Sequence, residues 1–300
     1  MIDLSKMVTE QANPNTQNLS FMSIQEAIRI MNQEDYNAVR CIESQYDMIA
    51  KVIALTSNVL ENKGRIIYMG AGTSGRLGVL DAVECPPTFN VDANTVIGLI
   101  AGGETAFVKA VEGAEDSKEL GEEELRKIQL CADDIVIGIA ASGRTPYVIG
   151  GLKYAQSINA ATCAIVCNPH SEIKKITPLT IEIVPGPEVL TGSTRLKAAT
   201  ATKMVLNMIS TISMIRIGKI YQNYMVDVKM SNEKLFSRGT NIVCSVTCCT
   251  KETALKALEE AKGNVRLAIV MILLDCDSLQ AKEALLKVNG RIQDLIDEEE

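Results

Sequence analysis

One strand-to-turn pattern occurs twice in this chain, and that doubling constrains the fold more than any other feature. The first copy is Ile66-Ile67-Tyr68-Met69 followed by Gly70-Ala71-Gly72-Thr73-Ser74-Gly75-Arg76. The second is Ile135-Val136-Ile137-Gly138-Ile139-Ala140 followed by Ala141-Ser142-Gly143-Arg144-Thr145. In each, a continuous apolar run reads as a buried strand, a turn of small residues carries Ser-Gly-Arg, and a helical pattern follows. Such a turn presents backbone N–H groups and hydroxyls at a helix N-terminus, where the positive end of the dipole also lies. The ligand expected there is an anion, and a phosphate fits best.

Around this pair the hydrophobic period alternates. Apolar, β-branched runs at 65–69, 95–101, 134–140, 161–167 and 179–184 are separated mostly by helical patterns. Alternation of this kind predicts a parallel sheet covered on both faces. In such sheets, ligands bind beyond the carboxyl ends of the strands, where the strand order reverses. Both Ser-Gly-Arg turns, and Cys167-Asn168-Pro169, fall at strand carboxyl ends.

The flanks read differently. Residues 1–20 are polar with a turn at Asn13-Pro14-Asn15-Thr16, and an extended arm is expected. Ser23 with Glu26 forms a capping box, after which Ile24, Ala27, Ile28, Ile30 and Met31 trace an apolar helical face. A second helix covers roughly 38–61. Residues 195–220 read as a long helix too apolar to expose one whole side, which suits either a subunit interface or core burial. From about 238 the pattern becomes helical again: Thr250 caps one helix, Gly263-Asn264 breaks it, and Asp277 or Ser278 caps a third. This small unit resembles a ubiquitin-associated-like three-helix fold. The acidic tail from Asp297 to Glu300 is expected to be solvated.

With 300 residues, 47% of them hydrophobic, the chain has enough apolar surface for a full core and more than one unit. The net charge of −7 and the lack of a basic stripe argue against a nucleic-acid partner. No apolar run is long enough for a membrane span, and Met1-Ile2-Asp3-Leu4-Ser5 shows no signal-peptide pattern, so a cytoplasmic location is expected. The nine cysteines, most within apolar runs, read as reduced, buried thiols. Their spacings suit zinc poorly, and His170 is the one histidine. It sits in a loop at a strand end and reads as solvated, which leaves proton transfer mostly to carboxylates.

Gly70-x-Gly72-x-x-Gly75 formally matches the dinucleotide fingerprint. The acid required at the end of the second strand is absent, since that strand closes on Leu99-Ile100-Ala101-Gly102-Gly103. A sugar phosphate held by hydroxyls and amides fits both turns better. Two glutamates stand apart. Glu84, in Ala82-Val83-Glu84-Cys85-Pro86-Pro87, has apolar neighbours, and a carboxyl there is expected to be desolvated and kept protonated, as suits a general acid. Glu115 lies in Glu112-Gly113-Ala114-Glu115-Asp116, and spacing alone does not single it out from an ordinary solvated acidic face.

These segments together resemble the N-acetylmuramic acid 6-phosphate etherases. The resemblance runs through Tyr68–Gly78, Asp81–Thr88, Val111–Asp116, Gly138–Tyr147, Glu188–Lys197, Met225–Val228 and Asn232–Leu235, and includes Asn13–Thr16 and Asn32–Asp35. Departures are small: Ala199 stands where the family usually has Gly, Leu196 where Met is common, and Ser20 where Asp is frequent. The resemblance implies a three-layer α/β/α sugar-isomerase (SIS) domain with a five-stranded parallel sheet over about 57–220. It also implies N-terminal helices within 1–56 and a small helical region over 221–300. It further implies a cytoplasmic homodimer needing no metal or cofactor. Glu84 is then the acid and Glu115 the base. Gly72, Thr73, Ser74, Gly75, Arg76, Ser142, Gly143, Arg144, Thr145, Glu188 and Ser193 hold the phosphorylated sugar. Three rivals stay open: a phosphosugar isomerase on the same fold, a non-catalytic sugar-phosphate sensor of the glucokinase regulatory kind, and a dinucleotide-dependent enzyme.

Overall fold

Each of the five apolar runs becomes a parallel strand in the computed structural model, which describes residues 7–109, 111–228, 230 and 232–297. The strands are β1 (Ile66–Gly70), β2 (Val96–Ile100), β3 (Ile135–Ala140), β4 (Ala161–Val166) and β5 (Thr180–Glu182). The helices are α1 (Ile24–Arg40), α2 (Tyr46–Glu61), α3 (Gly72–Phe89), α4 (Glu104–Val108), α5 (Lys118–Lys127), α6 (Pro146–Ser157), α7 (Lys197–Arg216), α8 (Glu233–Thr247), α9 (Lys251–Glu260), α10 (Val265–Leu273), α11 (Ser278–Lys287) and α12 (Ile292–Asp297). The chain divides into two compact units, Met1–Val83 with Asn94–Ser210, and Glu84–Ala93 with Thr211–Glu300.

In the first unit the strand order is β2-β1-β3-β4-β5. The chain passes from β1 to β2 on one side and returns to β3 on the other, so the order reverses between β1 and β3, whose residues pair directly from Ile66↔Ile135 to Gly70↔Ile139. Alternate side chains divide between the two faces. Ile67, Met69, Val136 and Ala164 pack with Leu125 of α5 and with Val148 and Leu152 of α6. Ile66, Tyr68, Ile135 and Ile137, all fully buried, turn to the opposite face. There Gly78 of α3 lies against Tyr68, and α2 packs along β1 and β5. On that face α3 and α7 are tied by Asp81, which accepts from Asn207 at 2.6 Å and Ser210 at 3.2 Å. Burial pushes the Asp81 carboxyl above its ordinary value despite these bonds.

The edge of the sheet where the strands begin is locked by one buried carboxylate. Asp134 accepts from the Arg65 backbone N–H at 2.9 Å, from the Arg65 guanidinium at 2.6 and 3.1 Å, and from the Cys131 N–H at 3.0 Å. Burial opposes its charge, but these donors outweigh burial and hold the carboxyl below the usual range.

The expected extended arm is instead three short 3-10 turns, Val8–Glu10, Pro14–Thr16 and Leu19–Phe21, docked on the first unit. Residues 1–6 lie outside the described residues. The docking is polar. Asn13 and Asn15 donate to the Glu34 carboxylate at 2.9 and 2.8 Å, Asn13 also reaches the Pro187 carbonyl at 3.0 Å, and Thr16 donates to the Val189 carbonyl at 2.9 Å. Lys197, 1% exposed, completes the cluster by pairing with Glu34. Burial alone pushes the Glu34 carboxyl up, yet the bonds from Lys197, Asn15 and Asn13 bring it below its ordinary value. The Ser23–Glu26 capping box forms as expected. The apolar face of α1 does not bury within the chain: Ile24 and Ile28 are 77% and 63% exposed, and the buried residues of α1 are Glu34 and Ala38.

The second unit has its own core, built from Val243 of α8, Ala254 and Leu258 of α9, Val265 and Ile269 of α10, Ala281 of α11 and Ile292 of α12. Thr250 and Asp277 cap α9 and α11 as the sequence predicts, and Asn264, expected only to break the preceding helix, caps α10. Two further helices, α8 and α12, extend the expected three. The acidic tail lies outside the described residues apart from the backbone of Asp297. The cysteines are all free, with Cys85, Cys163 and Cys167 buried. The expectation of general burial fails elsewhere: Cys41, Cys244, Cys249 and Cys276 are half-buried, and Cys131, in the connection from α5 to β3, and Cys248, the left-handed cap ending α8, are exposed.

Removing one partner of a buried ion pair leaves the other charge uncompensated, at a cost of about 3–5 kcal/mol. Lys197→Met is therefore expected to lower unfolding stability by that order in urea titrations at pH 7. Lys197→Met with Glu34→Gln should recover much of the loss. The wild-type contribution of Glu34, whose folded-state pKa is depressed, is present above the unfolded value of about 4.3 and disappears as pH falls through the folded value. In Lys197→Met the deficit should narrow on acidification, because a protonated Glu34 is buried at less cost. A deficit equal at pH 5 and pH 8 would overturn this account.

Candidate active site

The two Ser-Gly-Arg turns meet at the carboxyl ends of β1 and β3, where the strand order reverses. The first turn works because two backbones touch. A Cβ on Gly75 would sit 2.5 Å from the Gly70 carbonyl oxygen, so only glycine lets the first turn of α3 press onto the end of β1. In the second turn, Gly143 has φ +69°, and a Cβ there would meet the Ser171 Cβ at 2.3 Å. Pro146 then opens α6 at its first position, with Thr145 as a cap residue whose side chain makes no capping bond.

Between the turns lies a cleft of about 580 Å³, formed wholly by the first unit. Of the residues anticipated for the site, Glu115, Gly72, Thr73, Ser74, Ser142, Arg144 and Thr145 line it. The hydroxyls of Thr73, Ser74 and Thr145 make no hydrogen bond among the described residues, whereas Ser142 accepts from the Arg144 N–H at 3.3 Å. Arg144 is paired with Glu172 at 2.8 Å. Glu115 is exposed in the cleft on a 3-10 turn, Ala114–Asp116. Asp116 lines the same wall.

The other anticipated residues are placed elsewhere. Gly75 and Gly143 are buried behind the cleft and shape it through the backbone. Arg76 turns to the Phe107 and Ala106 carbonyls, both at 2.8 Å, and so fastens α4 to α3. Glu188 is fully buried and accepts from the Lys197 and Ala198 N–H groups at 3.0 and 2.9 Å, capping α7. Burial raises the Glu188 carboxyl above its ordinary value, against those two bonds. Ser193 does not line the cleft, and its neighbour Thr194 does. Glu84 belongs to the second unit and is exposed, so the expected desolvation is not found in the single chain: the two prolines do not halt α3, which continues to Phe89. His170 is exposed, with φ +56°, as a solvated loop residue. Among the described residues no group of three or more His, Cys, Asp or Glu side chains is arranged to hold a metal ion.

Sequence reasoning missed Thr9, Glu10, Lys118, Glu172 and Thr194. The signal for the first two was the polar arm itself, whose Asn13-Pro14-Asn15-Thr16 motif is what docks it.

A parallel 2-1-3-4-5 sheet with a hydroxyl-lined cleft at its reversal point is a doubly wound architecture, and the family matches make it a SIS-domain protein. The SIS domain family matches residues 122–214, the "Glucokinase regulatory protein N-terminal SIS domain" matches 48–156, and the "C-terminal lid domain of glucokinase regulatory protein" matches 222–262. Relatives match over nearly the whole chain. The N-acetylmuramic acid 6-phosphate etherase of Francisella philomiragia is 56% identical, covering 97% of this chain and 99% of its own. That of Francisella tularensis subsp. holarctica is 58% identical over 96% and 97%, and that of Bacillus mycoides 54% over 97% and 99%. The chain belongs to the N-acetylmuramic acid 6-phosphate etherase family.

Because Arg76 bonds two carbonyls, its loss should act on stability and loop order. Hydrogen bonds from a charged donor are each worth about 1.5–3 kcal/mol, less where exposed. Arg76→Met is expected to lower the melting temperature and to speed proteolytic nicking within 102–113, with inorganic phosphate binding unchanged. A tenfold loss of phosphate affinity at unchanged melting temperature would return Arg76 to the phosphate site.

Proposed function

We propose that this chain cleaves the lactyl ether at C3 of N-acetylmuramic acid 6-phosphate, giving N-acetylglucosamine 6-phosphate and D-lactate, in recycling of cell-wall amino sugars. The observation that carries the reading is near full-length identity of 54–58% to etherases. The cleft supports it, with two helix N-termini and hydroxyls suited to a phosphate and the carboxylate of Glu115 beside them, the hydroxyls of Thr73, Ser74 and Thr145 and that carboxylate having no partner among the described residues.

The chemistry follows from the substrate. In the open-chain sugar, C2–H is acidic because it lies α to the C1 aldehyde. A carboxylate base removes that proton, the C3–O bond breaks, and a carboxylic acid protonates the departing lactate oxygen. Water then adds across the C2–C3 double bond, placing a hydroxyl at C3. In this proposal Glu115 is the base and Glu84 the acid. The phosphate is held by Thr73, Ser74, Ser142 and Thr145 with the amides of both turns. No step calls for a metal or a redox cofactor.

The likeness to regulatory proteins at 48–156 and 222–262 favours a second reading, a sugar-phosphate sensor without turnover. Release of D-lactate separates the two at once.

We further propose that the working form is a cytoplasmic homodimer. The apolar face of α1 supports a dimer, with Ile24 77% and Ile28 63% exposed. Nine free cysteines suit a reducing compartment. The SIS domain is assigned to 57–220, with 1–56 as its N-terminal flank and 221–300 as the helical region.

Loss of a general acid or base costs about 10²–10⁴ in rate. Glu84→Gln and Glu115→Gln are each expected to lower kcat by that order with substrate binding largely kept. Near wild-type kcat in either variant removes that residue from its role. With heavy-oxygen water the label should enter the sugar at C3 and be absent from lactate, and label in lactate excludes elimination. Light scattering should give twice the chain mass, and Ile28→Glu should shift it toward one.

A further inference from the structure

The cleft contains a carboxylate that the proposed mechanism does not use. Glu10 stands on the first 3-10 turn of the arm, half-buried, and lines the cleft together with Thr9. Its side chain has no hydrogen-bond or ion-pair partner among the described residues. Its place is nevertheless fixed. Thr9, 1% exposed, donates its N–H to the Asn168 side chain at 3.3 Å, and Asn168 donates to the Thr9 hydroxyl and to the Ala141 carbonyl, both at 2.9 Å. Asn168 thereby ties the arm to the residue that opens the second Ser-Gly-Arg turn. On the other side, the backbone of Gly192 makes room for the carboxylate: a Cβ there would lie 3.1 Å from the Glu10 Oε2. Four residues further on, the arm is anchored again, by Asn13 on Glu34 and on the Pro187 carbonyl.

A carboxylate held in this way is a liability in a site for an anion. The substrate carries a phosphate and a lactyl carboxylate, and Glu10 repels both unless it is turned to a donor. The sugar supplies donors away from its phosphate, namely its hydroxyls and the acetamido N–H. We propose that Glu10 is a specificity-determining residue of the etherase site, its carboxylate accepting a hydrogen bond from one of those sugar donors. The arm is then a wall of the substrate site, fastened by Asn168 and by the buried Glu34–Lys197 cluster. This rests on the reading of the cleft as the sugar-phosphate site.

The sign of one substitution separates this from a bystander carboxylate. A bystander only repels, so neutralising it tightens binding or leaves it unchanged. An acceptor contributes a charge-assisted bond, whose loss weakens binding about ten- to a hundredfold. Calorimetric titration of the full chain with N-acetylglucosamine 6-phosphate, glucose 6-phosphate and inorganic phosphate, on wild type, Glu10→Gln and Glu10→Ala, reads this directly. Glu10→Ala should weaken N-acetylglucosamine 6-phosphate at least tenfold. Glu10→Gln, which keeps a neutral acceptor, should fall between it and wild type. Inorganic phosphate should bind within twofold of wild type or more tightly, with unchanged melting temperature. Loss confined to the acetamido sugar identifies the amide N–H as the donor, and equal loss for glucose 6-phosphate identifies a hydroxyl. Sugar-phosphate affinity unchanged or improved in both variants would falsify the assignment. Ser142→Ala, run in parallel, keeps the two failures apart. If it weakens sugar-phosphate binding while the Glu10 variants do not, Glu10 alone is removed. If none of the three variants does, the cleft is not the sugar-phosphate site.

Discussion

The contact between the first turn of α3 and the last residue of β1 is the constraint on which the site depends. Gly70 and Gly75 approach so closely that no side chain fits at either. That approach starts α3 directly off the strand, with its N–H groups open to the cleft. Because β1 is flanked by β2 on one side and β3 on the other, the second turn arrives beside the first. Two helix N-termini therefore converge on one space without any charged side chain being committed to it. The pairing of β1 with β3 that makes this possible is fixed at the far edge of the sheet by Asp134, which ties the residue entering β1 to the residue before β3.

A second, buried polar system shapes the cleft from the arm's side. Glu34 draws together Asn13, Asn15 and Lys197, which are distant in sequence. Lys197 begins α7, and the same helix terminus is capped by Glu188. The segment between Glu188 and Lys197 carries Gly192 and Thr194, which lie against Glu10 and in the cleft wall. Burying these charges in place of apolar groups is not a source of stability in itself. What the cluster supplies is position: it sets where the arm crosses the first unit, and with it which side chains line the cleft.

The sheet, the strand-end turns and two caps of the second unit were legible because each rests on local chemistry: continuous β-branched runs, glycines at required backbone contacts, and Thr or Asp before apolar helical patterns. The residues that proved harder are those whose partners are remote. Arg76 looked like a phosphate ligand from its place in Ser-Gly-Arg, yet its guanidinium reaches carbonyls some 30 residues on. Glu188 looked like a sugar contact from its place in a long motif, yet both oxygens are taken by helix amides. Glu10 drew no attention, since the Asn13–Thr16 motif marks the arm as structured while a polar arm without periodicity does not say against which residues it docks. The exposed apolar face of α1 shows a further limit: its period announced a helix correctly, while what covers that face is not encoded in the period.

The charge balance of the cleft bears on the proposal that it holds a sugar phosphate. Its walls carry Glu10, Glu115, Asp116 and Glu172 against Lys118 and Arg144, and Arg144 is already matched by Glu172. Side-chain charge therefore works against a phosphorylated, carboxylated substrate. What remains in favour is Lys118 together with dipoles: the N–H groups opening α3 and α6, and the hydroxyls of Thr73, Ser74 and Thr145, which have no competing partner among the described residues. Fixed dipoles act at hydrogen-bonding range and fall off within a helical turn, whereas like charges act further. The cleft is thus selective by geometry. Under the proposed function, a phosphate between the two turns meets those dipoles, and an anion elsewhere in the cleft meets mostly carboxylates. The same carboxylates are tolerable because proton abstraction next to an aldehyde needs a base, and a wall of cations would hold that base in an unreactive ion pair. A site that binds an anion by dipoles leaves its carboxylates free to do chemistry.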